Sequence, residues 1–412
     1  MRILMVSPHP TYTPRGTPIS VLNRCRALCA LGHEIDLVTY GIGTDIAVSG
    51  LRWLRAPVPG IRTVRIGPSI AKLPLDLAVM GKSAVRAIAG RHRYDVIHTH
   101  EEAGILGASL SRALGLPHVY DMGNDLSVVM SNYGFSPRHP LTRIAAAVEN
   151  ATVRGSQSVI AHFPAIAARV GTLGGGRIPA TVVANVPIEA PADPELVSRL
   201  RAQWSSDGEP IVLYTGTLEN YQGLPALIEA ASLLRRRVPA PRLVIVGGTT
   251  EQQRALRELA QRQLISDRVR IVGAVSQDQI RSCLEAADIL VSPRAGGSNT
   301  PLKIFSYMHS GRPVLATDTS AHTQVLDTDT AILVEPTAQG LADGLAQMLD
   351  DPAGAARMAA NARRVAAERY GIPSYLRAVA ASYRPVGGPT TSPDELAQAG
   401  RTLRAELSGA AS

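Results

Sequence analysis

Short apolar runs recur along the chain, and most are followed by a longer stretch whose apolar residues repeat every three or four positions. The short runs are Arg2–Ser7, Glu34–Tyr40, Tyr94–His98, His118–Met122, Ser156–His162 and Val182–Val186. After an interruption come Pro210–Thr215, Arg242–Val246, Arg268–Val272, Ala287–Val291, Pro313–Thr317 and Ala331–Val334. Nearly continuous apolar character over four to seven residues predicts strands buried on both faces. Arg52–Ile66 is basic and also strand-like. Helices are predicted where Ile19, Leu22, Cys25 and Cys29 share a face, over 70–93, over Pro140–Arg154, over Leu341–Tyr370 and over Pro373–Tyr383. Strand and helix in alternation predict an α/β protein with doubly wound parallel sheets. A Pro/Ala-rich stretch, Pro187–Pro194, divides the pattern into domains at 1–187 and 195–370, with a helix at 371–384 and a tail at 385–412 that suits either a flexible segment or, from Asp394 to Leu407, a helix.

Composition narrows the classes. A chain of 412 residues with 45% hydrophobic and 18% charged residues is globular and large enough for two cores. No apolar run reaches the length of a membrane span. Cys25, Cys29 and Cys283 make no disulfide framework, and buried thiols in a reducing bacterial cytoplasm are expected. A net charge of +8 calls for an anionic partner. With 4% aromatics there is little for base stacking, so nucleic acid is not the expected one. In 70–93, Leu73, Leu77, Met80, Val85 and Ile88 lie among Lys72, Lys82, Arg86, Arg91 and Arg93. That pattern suits either peripheral contact with an anionic inner-membrane surface or a surface helix with a solvated charged face.

The densest chemistry lies in Ser292–Pro313. Arg294 precedes the small residues Ala295, Gly296, Gly297, Ser298 and Asn299, whose backbone allows close approach of a ligand. Thr300 and Pro301 read as a hydroxyl N-cap and first helical residue. Leu302, Phe305 and Met308 give the apolar face, and Lys303 lies in the first turn. Free amides at a helix start beside two cations suit a diphosphate.

Aligned on Gly311-Arg312-Pro313, this stretch resembles the nucleotide-sugar loop of the family 4 glycosyltransferases of the GT-B fold. The family pattern is a glutamate, seven residues and a second glutamate; here Ser298 and Ser306 stand in those places. Relatives also hold the diphosphate with an Arg and a Lys after the first strand of the second domain, where this chain has Gly216-Thr217 and Gln222-Gly223. Arg294 and Lys303 are expected to restore the positive charge. The resemblance spans about residues 1 to 383 and implies two Rossmann-like domains facing across a cleft, the last helix crossing back to the first domain. It implies a donor site of Arg15, Gly16, Gly216, Thr217, Gln222, Gly247 and Gly273, together with Ser298, Asn299, Thr300, Pro301, Leu302 and Ser306.

The acceptor would lie against the first domain, at His100, Glu101 and Glu102 after one strand and Gly123, Asn124 and Asp125 after the next. Gly123 stands where many relatives carry a histidine. Arg294, Lys303 and Asp121 are the expected catalytic residues. His98-x-His100 followed by two carboxylates has metal-ligand character, but the sequence shows no third ligand cluster, so no metal and no cofactor is expected. The expected function is retaining transfer of a hexosyl-type sugar from a nucleoside-diphosphate sugar to a hydroxyl or thiol of a small molecule, glycan or lipid carrier. The rival is a non-catalytic subunit that keeps the fold and has lost the chemistry, for which Ser298, Ser306, Gly123, Thr217 and Gln222 speak.

Overall fold

The computed structural model describes the chain apart from residues 12–15, 62–71, 127–129, 131–134, 137, 188–189, 207, 298 and 408–412 and the side chain at 407. It divides into two compact units, Met1–Asn185 with the segment from Ile372 onward, and Val186–Gly371.

Unit 1 carries β1 (Arg2–Val6), α1 (Gly16–Ala30), β2 (Glu34–Tyr40), β3 (Leu51–Ala56), α2 (Leu73–Ala89), β4 (Val96–His100), α3 (Gly104–Leu114), β5 (His118–Met122), α4 (Pro140–Arg154), β6 (Ser158–Ala161), α5 (Pro164–Gly174) and β7 (Ala180–Val182). Among the described residues its sheet is wholly parallel, in the order β3-β2-β1-β4-β5-β6-β7. The order reverses between β1 and β4, and open sheets of this kind bind ligands at the carboxyl ends of the strands flanking such a reversal.

Unit 2 carries α6 (Pro194–Trp204), β8 (Ile211–Thr215), α7 (Leu224–Leu233), β9 (Arg242–Val246), α8 (Thr250–Arg262), β10 (Val269–Val272), α9 (Gln277–Ala286), β11 (Ile289–Ser292), α10 (Leu302–Ser310), β12 (Val314–Thr317), α11 (Ser320–Thr323), β13 (Ile332–Val334), α12 (Ala338–Asp350) and α13 (Pro352–Arg369). Its parallel sheet runs β10-β9-β8-β11-β12-β13 and reverses between β8 and β11. Helices cover both faces. Val212 and Tyr214 pack with α7, α8 and α12, while Ile211 and Leu213 pack with α9, α10 and α13. That two-sided burial is why the strands read as unbroken apolar runs.

Two helices after Gly371 belong to unit 1, α14 (Ile372–Tyr383) and α15 (Pro393–Leu407). α14 lies on β6, β7 and α1 through the buried Leu376, Val379 and Ala380, and Tyr383 donates to His98 Nδ1 at 2.6 Å. The helix-compatible stretch from Asp394 to Leu407 forms α15, which packs on α14 and α1 with Ala399 and Leu403 buried and so is not a flexible tail there. An apolar pair one turn apart suffices to dock a short helix once a groove exists, and a sequence window cannot show the groove.

The α2 expectation also changes. The helix buries Leu75, Val79, Ser83 and Ala87, one residue every turn, and leaves Leu73, Leu77, Val85 and Ile88 exposed. Its solvent-facing side is therefore not simply a charged one.

Candidate functional site

In unit 2 the loops after β8 and β11 meet at the strand reversal. Ala295 N donates to Tyr221 O at 3.0 Å, and the Arg294 guanidinium lies 5.1 Å from the centre of the Tyr221 ring. Gly223 joins the two loops. It has φ +73°, and a Cβ there would overlap the Pro293 carbonyl oxygen, so a larger residue would force the loops apart.

Lys303 Nζ lies 3.7 Å from the centre of the Tyr214 ring and donates to Gln222 Oε1 at 3.3 Å. Gln222 Nε2 in turn reaches Thr217 Oγ1 at 3.5 Å. A side chain at Gly216 would meet Lys303 Nζ at 2.9 Å, so the glycine leaves room for the ammonium. Burial, and then the charge of Arg294, pull the Lys303 pKa well below its usual value. Among the described residues no carboxylate pairs with either cation. An ammonium with no counter-charge at a helix start is arranged for an anion that arrives from outside.

Arg294 plays a narrower part than expected. Its Nε donates to Gly296 O at 2.6 Å and its Nη1 to Asn299 O at 2.9 Å, so these donors hold the loop in shape. The helix start also shifts by one residue. Pro301, extended at φ −66° and ψ 138°, is the N-cap, and α10 begins at Leu302. The Thr300 hydroxyl does not cap it; Oγ1 is buried without a partner among the described residues. Ser306 is buried on α10, Gly247 adjoins Gly216, and Gly273 follows β10 near Gln253. Ser298 and Arg15 lie outside the described residues; Gly16 opens α1 in unit 1, with open space beside it.

In unit 1 the carboxyl ends of β1, β4, β5 and β6 bring a polar cluster together. Parallel register sets His100 opposite Asp121 and Asp121 opposite Ile160. Asp121 is the hub. His162 Nε2 donates to Oδ1 at 2.6 Å, Arg24 Nε donates to Oδ2 at 3.1 Å, and His98 Nε2 and His100 Nδ1 each lie 3.5 Å from Oδ2. Burial alone would raise the Asp121 pKa, yet the Arg24 guanidinium and the nearby imidazoles of His162 and His100 hold it well below the carboxylate range. With 1% of its side chain exposed, Asp121 cannot touch a substrate. The expectation of a catalytic Asp121 is corrected to a positioning residue.

A third metal-type ligand does exist beside His98 and His100, and it is Asp121, brought there by the β4–β5 pairing that linear spacing hides. Arg24 already stands against that carboxylate as a fixed cation, and burial keeps His98 and His100 neutral-leaning, with lowered pKa values. His100 is buried and does not face a ligand.

Glu101, Gly123 and Asn124 do come together. Glu101 adopts φ +46°, a strained conformation of the kind functional sites retain. Its carboxylate accepts from His9 Nε2 at 3.2 Å and Asn124 Nδ2 at 2.6 Å. Burial raises its pKa, but His9, His162 and Asn124 outweigh that and leave the group below its usual range. Glu102 stands at the exposed rim, while Asp125 pairs with Arg169 at 3.2 Å. His9, His162 and Arg24 were missed by sequence reasoning. The available signal was that two histidines end or follow apolar strands at the carboxyl edge.

Comparison with known proteins fits this architecture. Residues 15–187 match the glycosyl transferase 4-like domain, and residues 209–351 match the glycosyl transferases group 1 domain. The chain belongs to the family 4 glycosyltransferases of the GT-B fold. It is 26% identical over 355 residues to a D-inositol 3-phosphate glycosyltransferase of Pseudarthrobacter chlorophenolicus, covering 82% of this chain and 83% of that one. It is 30% identical over 192 residues to the alpha-D-kanosaminyltransferase of Streptomyces kanamyceticus, a match that spans 46% of this chain and only 49% of that relative. By fold it is similar to sucrose-phosphate synthase from Thermosynechococcus elongatus, with TM-score 0.75, 22% identity and coverage of 94% and 99%. It is also similar to Anabaena HepE in complex with UDP, with TM-score 0.71, 20% identity and coverage of 93% and 100%.

Proposed function

We propose that the protein transfers a hexosyl-type sugar, with retention at the anomeric carbon, from a nucleoside-diphosphate sugar held by unit 2 to a hydroxyl or thiol of an acceptor held by unit 1. The observation that carries this is Lys303, an ammonium without a carboxylate partner beside the start of α10, at the β8/β11 reversal. A diphosphate there gains the ammonium and the first-turn amides, and its developing charge is met as it departs. Retention then needs no protein nucleophile, because the leaving phosphate takes the acceptor proton on the same face. HepE was solved with UDP and with UDP-glucose, which supports a nucleotide sugar as donor. The site asks for no metal and no cofactor in this scheme.

The test is a thermal-shift screen against UDP-, GDP- and ADP-sugars. One nucleotide series should raise the melting temperature, since saturation at 100 times Kd stabilises by about 2.7 kcal/mol. No shift with any of them at millimolar concentration would remove the donor reading. The rival, a subunit without chemistry, would bind the same nucleotide sugar and release no nucleoside diphosphate from it.

We propose for the enzyme a cytoplasmic location with peripheral contact at the inner membrane surface. No helix among the described residues is long and apolar enough to cross a membrane. Instead α2 presents Leu73, Leu77, Val85 and Ile88 outward, with Arg86 on the same helix and Arg91 and Arg93 after it. Apolar side chains among cations suit an anionic lipid surface. Flotation with vesicles should recover the protein on phosphatidylglycerol-containing membranes and not on phosphatidylcholine alone. Leu77→Glu, at a residue 68% exposed and so without consequence for folding, should abolish recovery. Equal recovery of both proteins would end this placement.

A further inference from the structure

In unit 1, Asp121 orients a second group that the acceptor reading has not used. The anionic Asp121 fixes the proton of His162 on Nε2, so Nδ1 carries a lone pair. Among the described residues Nδ1 has no hydrogen-bond partner. Unlike Nε2 of His98 and of His100, it is not among the buried unpaired atoms, so solvent reaches it. It lies 3.4 Å from the point where a Cβ on Gly123 would stand, and Glu101 Oε1 lies 3.0 Å from the same point. With Nε2 donating to Asp121, the Nδ1 nitrogen of His162 and a carboxylate oxygen of Glu101 therefore border one spot as two hydrogen-bond acceptors. The absence of a side chain at Gly123 leaves both approachable.

Resting on the reading of unit 1 as the acceptor domain, we propose that His162 Nδ1 and Glu101 Oε1 form a hydroxyl-recognition subsite beside Gly123, with His162 in direct contact with the acceptor. The chemistry selects the ligand class. Two acceptors side by side take two O–H donors, as on adjacent carbons of a sugar or cyclitol, and repel a phosphate. Asp121, Arg24, His9, Asn124 and the strained Glu101 backbone are the scaffold that keeps the pair in place. His162→Gln keeps an N–H for Asp121 and loses the lone pair at the Nδ1 position, whereas Gly123→Ala narrows the approach to both acceptors.

The experiment uses the full chain, histidine side-chain nitrogen spectra, and D-glucose, myo-inositol and glycerol as probes, with calorimetric UDP, GDP and ADP binding measured alongside. The expected result is an Nε2–H tautomer for His162, whose Nδ1 resonance moves with glucose or inositol. Steady-state release of nucleoside diphosphate from the glucose ester of the nucleotide that binds, with the responding probe as acceptor, should show KM for that probe raised at least tenfold in His162→Gln, with nucleotide affinity within twofold of wild type. A proton on Nδ1, no response to any probe, or an unchanged KM in a protein that binds nucleotide would overturn the subsite alone. Failure of the wild type to bind any of the three nucleotides would instead overturn the donor reading, and this proposal with it.

Discussion

Replacing Lys303 with methionine is expected to weaken nucleoside-diphosphate binding by about 10- to 150-fold, the range set by about 1.5–3 kcal/mol for a hydrogen bond to a charged group. The same change is expected to raise the melting temperature of the free protein. Both directions follow from one arrangement. In the free protein the ammonium lies over the Tyr214 ring, with the Gln222 amide oxygen as its hydrogen-bond partner among the described residues and Arg294 nearby as a like charge. Methionine keeps the packing on the ring and removes the uncompensated charge. Affinity lost while stability is gained is the mark of a group held ready for a ligand and not for the fold.

The pH dependence of this residue has a definite sign. Its folded pKa is below the usual 10.5, so between the two values the unfolded chain binds more protons and stability rises with pH. A bound diphosphate raises that pKa again, so binding takes up a proton and affinity falls as pH rises through the same window. Calorimetry in buffers of different ionisation enthalpy should detect the proton uptake in the wild type and not in Lys303→Met. Equal affinity of the two proteins for every nucleotide tested would eliminate Lys303 as the phosphate ligand.

Asp121→Asn carries the largest expected effect on stability. Arg24 is 2% exposed and has this carboxylate as its ion-pair partner. Removing one member of a buried pair costs about 3–5 kcal/mol, because the other is left as an isolated charge. For a domain of this size that corresponds to a fall of about 6–20 °C in the melting temperature of unit 1. Pairing the change with Arg24→Met should recover much of the loss, since the isolated charge then disappears. Acid acts on the same cluster. The Asp121 pKa is depressed, so its stabilisation is complete above about pH 4 and is lost as pH falls through the folded value. His98 and His100 are also depressed, by burial, so acidification below about pH 6.5 already costs stability as the unfolded chain takes up protons. A variant that melts within a degree of wild type would show that Asp121 is not the hub.

The strand pattern was almost fully legible, because both faces of each sheet are covered and the strands become unbroken apolar runs. Lys303 and the Gly216–Gln222 loop could each be singled out because strand, loop and helix start are contiguous in sequence, whereas their meeting depends on β8 and β11 lying side by side in the sheet. The unit 1 cluster was only half legible. Asp121, His100 and Glu101 were singled out, but their roles depend on register between β4, β5 and β6, which brings residues 20 to 60 positions apart into contact. Arg24 was invisible because α1 reads as an apolar face on which a buried arginine is unexpected. The α2 face stayed open between two readings because periodicity gives the spacing of apolar residues and not which side meets the sheet.

The return of α14 and α15 to unit 1 gives the chain a nested order, with 186–371 inserted between two parts of one body. On the ribosome all seven strands of the outer body are made before the inserted unit, but its two closing helices are made only after that unit is whole. The partner of His98, Tyr383, is among the later residues made, so the imidazole cluster is completed only after unit 2 has been synthesised. The polar cluster of unit 1 therefore takes its final form late, when α14 returns to close it.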